Sequence, residues 1–178
     1  MERKDGKNRI WRWILRITLS IACAAMLTFI FFNSAQTGEQ SGATSSAVTD
    51  AVQDAVSVIA PQSPIATATG AEYDKLHSAI RTLAHFSEFA LLGALLCWCC
   101  LSYTDEKLYM VFPVCGVFLV PIADEFSQTF SIGRGAELKD VLTDTLGGVA
   151  GIVAAILFVA LFRYIYRRVR ARKTRKKE

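Results

Sequence analysis

The chain holds no His-x-x-x-His pair, no glycine-rich phosphate loop and no recognisable nucleophile motif. The first absence removes the helical zinc site, the second removes a backbone cradle for nucleotide phosphates, and the third removes acyl transfer through an activated serine or cysteine. Five cysteines are present, and Cys23, Cys97, Cys99, Cys100 and Cys115 all fall inside apolar stretches. Cysteine there serves as a small hydrophobe, so neither an extracellular disulfide framework nor a metal site at CWCC (97–100) is expected. No tandem repeat is visible. Charge is also scarce where it matters most, because four long stretches are nearly without it.

Those stretches are what the chain has instead. Of its 178 residues 52% are hydrophobic, with a mean hydropathy of +0.32. The apolar residues run from Ile14 to Phe32, Leu83 to Tyr103, Leu108 to Ala123 and Val141 to Phe162. A helix needs roughly 20 apolar residues, within a range of about 17–25, to cross the hydrocarbon core. The first, second and fourth runs meet that length. The third is short and carries Pro113 and Pro121, so a kinked span or a re-entrant segment are both open there. The first run follows basic residues as a signal peptide would. Its length and the poor cleavage sequence Asn33-Ser34-Ala35-Gln36 favour an uncleaved anchor.

Six basic residues precede or enter the first run (Arg3, Lys4, Lys7, Arg9, Arg12, Arg16), and nine of the chain's twenty follow the fourth (Arg163, Arg167, Arg168, Arg170, Arg172, Lys173, Arg175, Lys176, Lys177). The positive-inside bias then puts both termini in the cytoplasm, which an even number of spans satisfies. The expectation is an all-α, polytopic membrane protein with about four transmembrane helices. It divides into a basic N-terminus (1–13), a membrane domain (14–162) with an outer loop (33–82), and a basic tail (163–178). The tail suits anionic membrane lipid; no nucleic-acid fold accompanies it.

The outer loop opens NSAQTGEQSGATSS, read as loop. Val48, Ala51, Val52, Ala55, Val56 and Ile59 then recur at helical spacing, with Ser45 or Ser46 able to cap the start and Pro61 and Pro64 beyond the end. This is an amphipathic helix on the outer surface, followed by the linker PQSPIATATG. From Ala71 another helix runs into the second span. Asp74, His77, Arg81, His85 and Glu88 on it are three or four residues apart and so share a face. Asp124 and Gln128 are a turn apart after the third span, Gly133-Arg134-Gly135 reads as a turn, and Glu137 opens the last helix, where Asp140 and Asp144 are again a turn apart. Gly147 and Gly151 form a small-xxx-small pair that admits a close helix neighbour.

Three helices thus bring ionisable groups to one outer end. An Asp or Lys at the bilayer centre costs roughly 2.5–3.5 kcal/mol on insertion scales, so these groups should face one another or a wet cavity. One reading is structural, with Arg81 and Arg134 neutralising Glu88, Asp140 and Asp144. The other is a site, since buried ion networks are a poor source of stability.

The strings AHFSEFALLGALL, DEFSQTFSIGR and DVLTDTLGGVAG, in that order, with FFNSAQTGEQS after the first span, resemble the VanZ-like family of bacterial membrane proteins over nearly all of Ile14 to Phe162. The resemblance implies polar signature positions at His85, Glu88, Asp124, Glu125, Gln128, Arg134, Asp140 and Asp144. This chain departs from many relatives at Thr82-Leu83, where they carry a basic or polar pair, and at Ser127, where they carry His. It also implies a cell-envelope role, with teicoplanin resistance attached to the name-giving member. Three functions stay open. The first is binding of a lipid-linked cell-wall precursor or lipoglycopeptide by Arg81, His85, Glu88, Gln128, Arg134, Asp140 and Asp144, with the arginines on phosphate or carboxylate. The second is metal-assisted hydrolysis or transfer on a lipid phosphate. It would use His85, Glu88, Asp124 and Glu125 as catalytic candidates, and Asp124, Glu125, Asp140 and Asp144 as oxygen ligands for a divalent cation. The third is a small transporter, which four helices would form more readily as an oligomer.

Overall fold

The computed structural model describes residues 2–104 and 106–175; Met1, Asp105 between the second and third apolar runs, and residues 176–178 of the basic tail lie outside the described residues. Five α-helices make up the described chain: α1 (Glu2–Ser34), α2 (Gly38–Ile59), α3 (Ala71–Tyr103), α4 (Val111–Gln128) and α5 (Leu138–Arg175), with a 3₁₀ turn (Lys107–Met110) leading into α4. No strand occurs among the described residues. Four of the helices are long and apolar enough to cross a membrane, over Arg9–Ser34, Ala71–Tyr103, Lys107–Gln128 and Leu138–Arg170. The protein is an all-α polytopic membrane protein.

The third span continues through its prolines. Pro113 lies in the first turn of α4, where backbone N–H groups have no helical partner to lose. Pro121 lies inside the helix but is buried among neighbouring helices, the setting in which a spanning helix tolerates it. At 33 residues and about 1.5 Å each, α3 is about 50 Å long, against a hydrocarbon core of roughly 30 Å, so it also extends beyond the bilayer.

α3 is the hub, packed against α5, α1, α4 and α2. Its closest approach is to α5, through glycine. A Cβ on Gly147 would strike the backbone carbonyl of Phe86, one on Gly151 that of Ala90, and one on Gly93 that of Gly148. The small-xxx-small pair of α5 therefore seats on two α3 residues that are themselves one turn apart. Two buried clusters fill the remaining space: Ile30, Phe89 and Leu92 towards α1, and Cys97, Val117, Ile152 and Ala155 between α3, α4 and α5. All five cysteines are free. Burial is otherwise inverted relative to a water-soluble protein. Asp124, Glu125, Gln128 and Asp144 are buried, whereas Leu119, Ile122, Phe126, Leu146 and Leu157 are exposed. Apolar side chains outside and carboxyls inside is the arrangement a lipid solvent demands.

The two ends of the bundle differ. At one, Arg16 lies over the rings of Trp13 and Tyr103, 5.3 and 5.0 Å from their centroids, and its Nε donates to the Ser102 carbonyl at 2.9 Å. Trp98 meets Phe158 there, and the basic stretch of α5 follows. Aromatic rings beside basic residues mark a membrane–water interface. The opposite end carries the carboxyls.

α2 begins earlier than the sequence reading expects. The stretch read as loop is helical from Gly38, and Thr37 rather than Ser45 or Ser46 is its cap. The Thr37 hydroxyl accepts from the Gln40 N–H at 3.3 Å, and the Gln40 side chain accepts from the Thr37 N–H at 3.2 Å, a complete capping box. The helix packs on α3 with Thr49 buried, and the Tyr73 hydroxyl donates to Asp50 at 2.7 Å. Thr37→Ala should cost about 1 kcal/mol, read as a lower melting temperature of the detergent-solubilised protein. An unchanged melting temperature would mean that the box contributes nothing to the folded state.

Candidate functional site

Outside the bilayer end of the bundle, the corner between α1 and α2 meets the turn between α4 and α5. Gly133 makes that turn at φ 76°, a conformation that favours glycine, and the Gly38 N–H donates to the Ile132 carbonyl at 3.0 Å. Arg134 Nη1 donates to the carbonyls of Asn33 (3.2 Å) and Ser34 (3.3 Å), and the Ser131 hydroxyl donates to the Ser34 carbonyl at 3.0 Å. These are the last carbonyls of α1, which have no partner within the helix, and a guanidinium there meets the negative end of the helix dipole. Burial, and after it the neighbouring Arg81, hold the Arg134 pKa below the ordinary guanidinium value, opposed by Asp124, Glu125 and Asp140. The group stays charged.

The two adjacent acids of α4 are likewise occupied. Asp124 Oδ1 accepts from the Ser34 hydroxyl at 2.5 Å, and Oδ2 accepts from Gln128 Nε2 at 3.0 Å. This ties the end of α1 to α4. Glu125 Oε2 accepts from the Glu137 N–H at 2.8 Å, at the entrance to α5, where a carboxylate favours the positive end of the dipole. The structural reading of the sequence has Arg81 and Arg134 neutralising Glu88, Asp140 and Asp144. The structure instead uses Arg134, Asp124 and Glu125 to close helix ends and join helices.

Next to this frame is a cavity of about 350 Å³. α3 contributes Ser78, Arg81, Thr82 and His85; α4 contributes Gln128; the turn contributes Gly133, Arg134 and Gly135; the start of α5 contributes Glu137, Lys139, Asp140, Thr143 and Asp144; Gly38 completes the wall. Six of the residues singled out from sequence therefore meet: Arg81, His85, Gln128, Arg134, Asp140 and Asp144. Glu88, half-buried a turn deeper on α3, is not in the wall, and neither are Asp124 and Glu125. Of the four catalytic candidates only His85 faces the cavity. Nor do the four oxygen-ligand candidates converge: among the described residues, no three His, Cys, Asp or Glu side chains are grouped so as to hold a metal ion. Asp124 is engaged by hydrogen bonds at both of its oxygens, and Glu125 at one.

Asp144 stands apart among the described residues: His77 Nε2, Glu125 Oε1 and Arg134 Nε also lack a hydrogen-bond partner, but Asp144 alone is left with two such atoms. It is 0% exposed, and neither of its carboxyl oxygens has a hydrogen-bond partner. A buried polar group without a partner is costly, and this one borders a cavity. Arg81, half-buried on the opposite wall, forms no hydrogen bond or ion pair among the described residues. The cavity thus presents cations (Arg81, Lys139 and part of Arg134) and acids (Glu137, Asp140, Asp144) that form no ion pair with one another among the described residues. It can take a group carrying both an anionic part and hydrogen-bond donors. Sequence reading missed Ser34, Ser78, Lys139 and Thr143. Lys139 and Thr143 lie next to the aspartates in the chain, but only helical phase shows that they share the wall. Ser34 is 90 residues from the carboxyl it holds.

No curated protein and no solved structure matches the chain. A model of the VanZ/LLP1 family matches residues 19–161, a range that holds the second and third spans, most of the first and fourth, the turn and every residue of the cavity wall. The chain belongs to the VanZ/LLP1 family.

Proposed function

We propose that this protein holds, at the outward face of the bacterial plasma membrane, the anionic head of an amphiphile whose hydrocarbon part stays in the bilayer. The ligand class is a lipid-linked cell-wall precursor or a lipoglycopeptide, and binding it contributes to glycopeptide resistance of the teicoplanin type. The observation that carries the reading is the coexistence, in one cavity, of an unpartnered buried Asp144 with the unpaired cation of Arg81. A phosphate or carboxylate satisfies the cations and a hydroxyl or amine satisfies Asp144. A volume of about 350 Å³ suits a head group. The outward orientation rests on charge: the basic residues gather at the other end of the bundle, as they do at cytoplasmic ends.

The test is a binding titration of the purified chain in nanodiscs with farnesyl phosphate, using farnesol as the matched control. Saturable binding of the phosphate and none of the alcohol is expected. Equal binding of both would sink the reading, since the head would then contribute nothing.

A further inference from the structure

A second, larger hollow of about 800 Å³ lies beside the polar cavity on the α3–α5 surface. The two share Ser78, Thr82, Lys139 and Thr143 in their walls, so they are contiguous. The character changes across that shared edge. Beyond it α3 presents Ala79, Leu83 and Phe86, and Leu83 is 65% exposed. The hollow follows α3 from Asp74 to Phe86, about 18 Å along the helix axis, from the outer interface into the second apolar run. Phe86, at its deep end, is also where α3 makes its close glycine contact with α5, at Gly147. A rigid crossing of this kind keeps the hollow from closing.

We propose that this groove is the lateral portal for the ligand's hydrocarbon chain: a lipid phosphate enters sideways from the outer leaflet, with its head in the polar cavity and its tail lying on Ala79, Leu83 and Phe86. The inference rests on the head-group reading above and specifies the ligand as a membrane-resident lipid rather than a free phosphate. Lys139 and Thr143 stand at the junction, where the phosphate joins the tail, and offer a charge and a hydroxyl at that depth. Lipid tails are as apolar as the groove, so the groove supplies a path and a direction rather than affinity. Its obstruction should therefore act by clash.

Ala79→Trp fills the groove from an exposed position of α3 that is outside the polar cavity. Affinity is measured in nanodiscs for farnesyl phosphate and for dimethylallyl phosphate, which carries the same head on a tail too short to reach the groove. The variant should weaken farnesyl phosphate about tenfold or more and leave dimethylallyl phosphate unchanged, since overpacking a filled space carries a penalty of that order. A farnesyl phosphate probe with a diazirine in its tail should label wild-type α3 between residues 79 and 86. Unchanged farnesyl phosphate affinity in the variant, the same fold-loss for both ligands, or labelling confined to other helices overturns the portal while leaving the head-group site intact. Failure of either ligand to bind the wild type overturns the head-group reading and the portal with it.

Discussion

Asp124→Ala destabilises the folded chain by about 2–6 kcal/mol, because it strands two buried partners that each cost about 1–3 kcal/mol when unsatisfied. The Ser34 hydroxyl and the Gln128 amide both lose their acceptor, and with it the tie between α1 and α4. Ser34→Ala, which removes one of the two bonds, should cost roughly half as much. Asp124→Asn should recover much of the loss, since its amide oxygen still accepts from Ser34 and its amide nitrogen can donate to a rotated Gln128 side chain. The measurement is the melting temperature in detergent, together with the abundance of each variant in the membrane. If Asp124→Ala melts like wild type yet fails to bind farnesyl phosphate, Asp124 belongs to the ligand site and its structural assignment is wrong.

Arg81→Ala gives the opposite pattern. It should raise the Kd for farnesyl phosphate about 10- to 150-fold, the equivalent of losing one hydrogen bond to a charged group, worth about 1.5–3 kcal/mol. The melting temperature should hardly move, since Arg81 makes no hydrogen bond or ion pair among the described residues. Arg81→Lys keeps the charge but not the fork and should fall between. In a Gram-positive host without a relative of its own, wild type should lower susceptibility to teicoplanin more than to vancomycin, and Arg81→Ala at equal membrane abundance should not. Loss of Arg81→Ala from the membrane would place Arg81 in the structural frame instead. Protection that survives the substitution would separate resistance from the cavity.

The contrast between these two residues shows what could be read in one dimension. Membrane insertion responds to runs of apolar side chains along a helix, and that is a local property of the chain. The four spans were legible for this reason, as were the amphipathic α2 and the glycine pair of α5, whose periodicities need no partner to be seen. Even local rules were misread where composition misled: Thr37 and Gln40 form a capping box inside a stretch rich in Ser, Gly and Thr, and the helix is capped there rather than at Ser45 or Ser46. The proline-bearing third run looked doubtful because sequence does not show that Pro113 falls in a first turn and Pro121 in a buried interior.

By itself, the sequence determined that this is an all-helical, multi-span membrane protein with ionisable groups from three helices near one end, because burial in lipid forces backbone hydrogen bonding within each segment and makes every intramembrane charge conspicuous. Which of those groups hold the bundle and which face a cavity was decided only by tertiary structure. Asp124 and Asp144 look alike in the chain, one carboxyl near each of two helix ends. Asp124 finds Ser34 and Gln128, whereas Asp144, one wall away, finds nothing. That difference depends on the rotation of α4 and α5 against α1 and α3, fixed by the glycine contact and the Arg134 turn, and a hydrogen bond made across 90 residues leaves no local mark in the sequence.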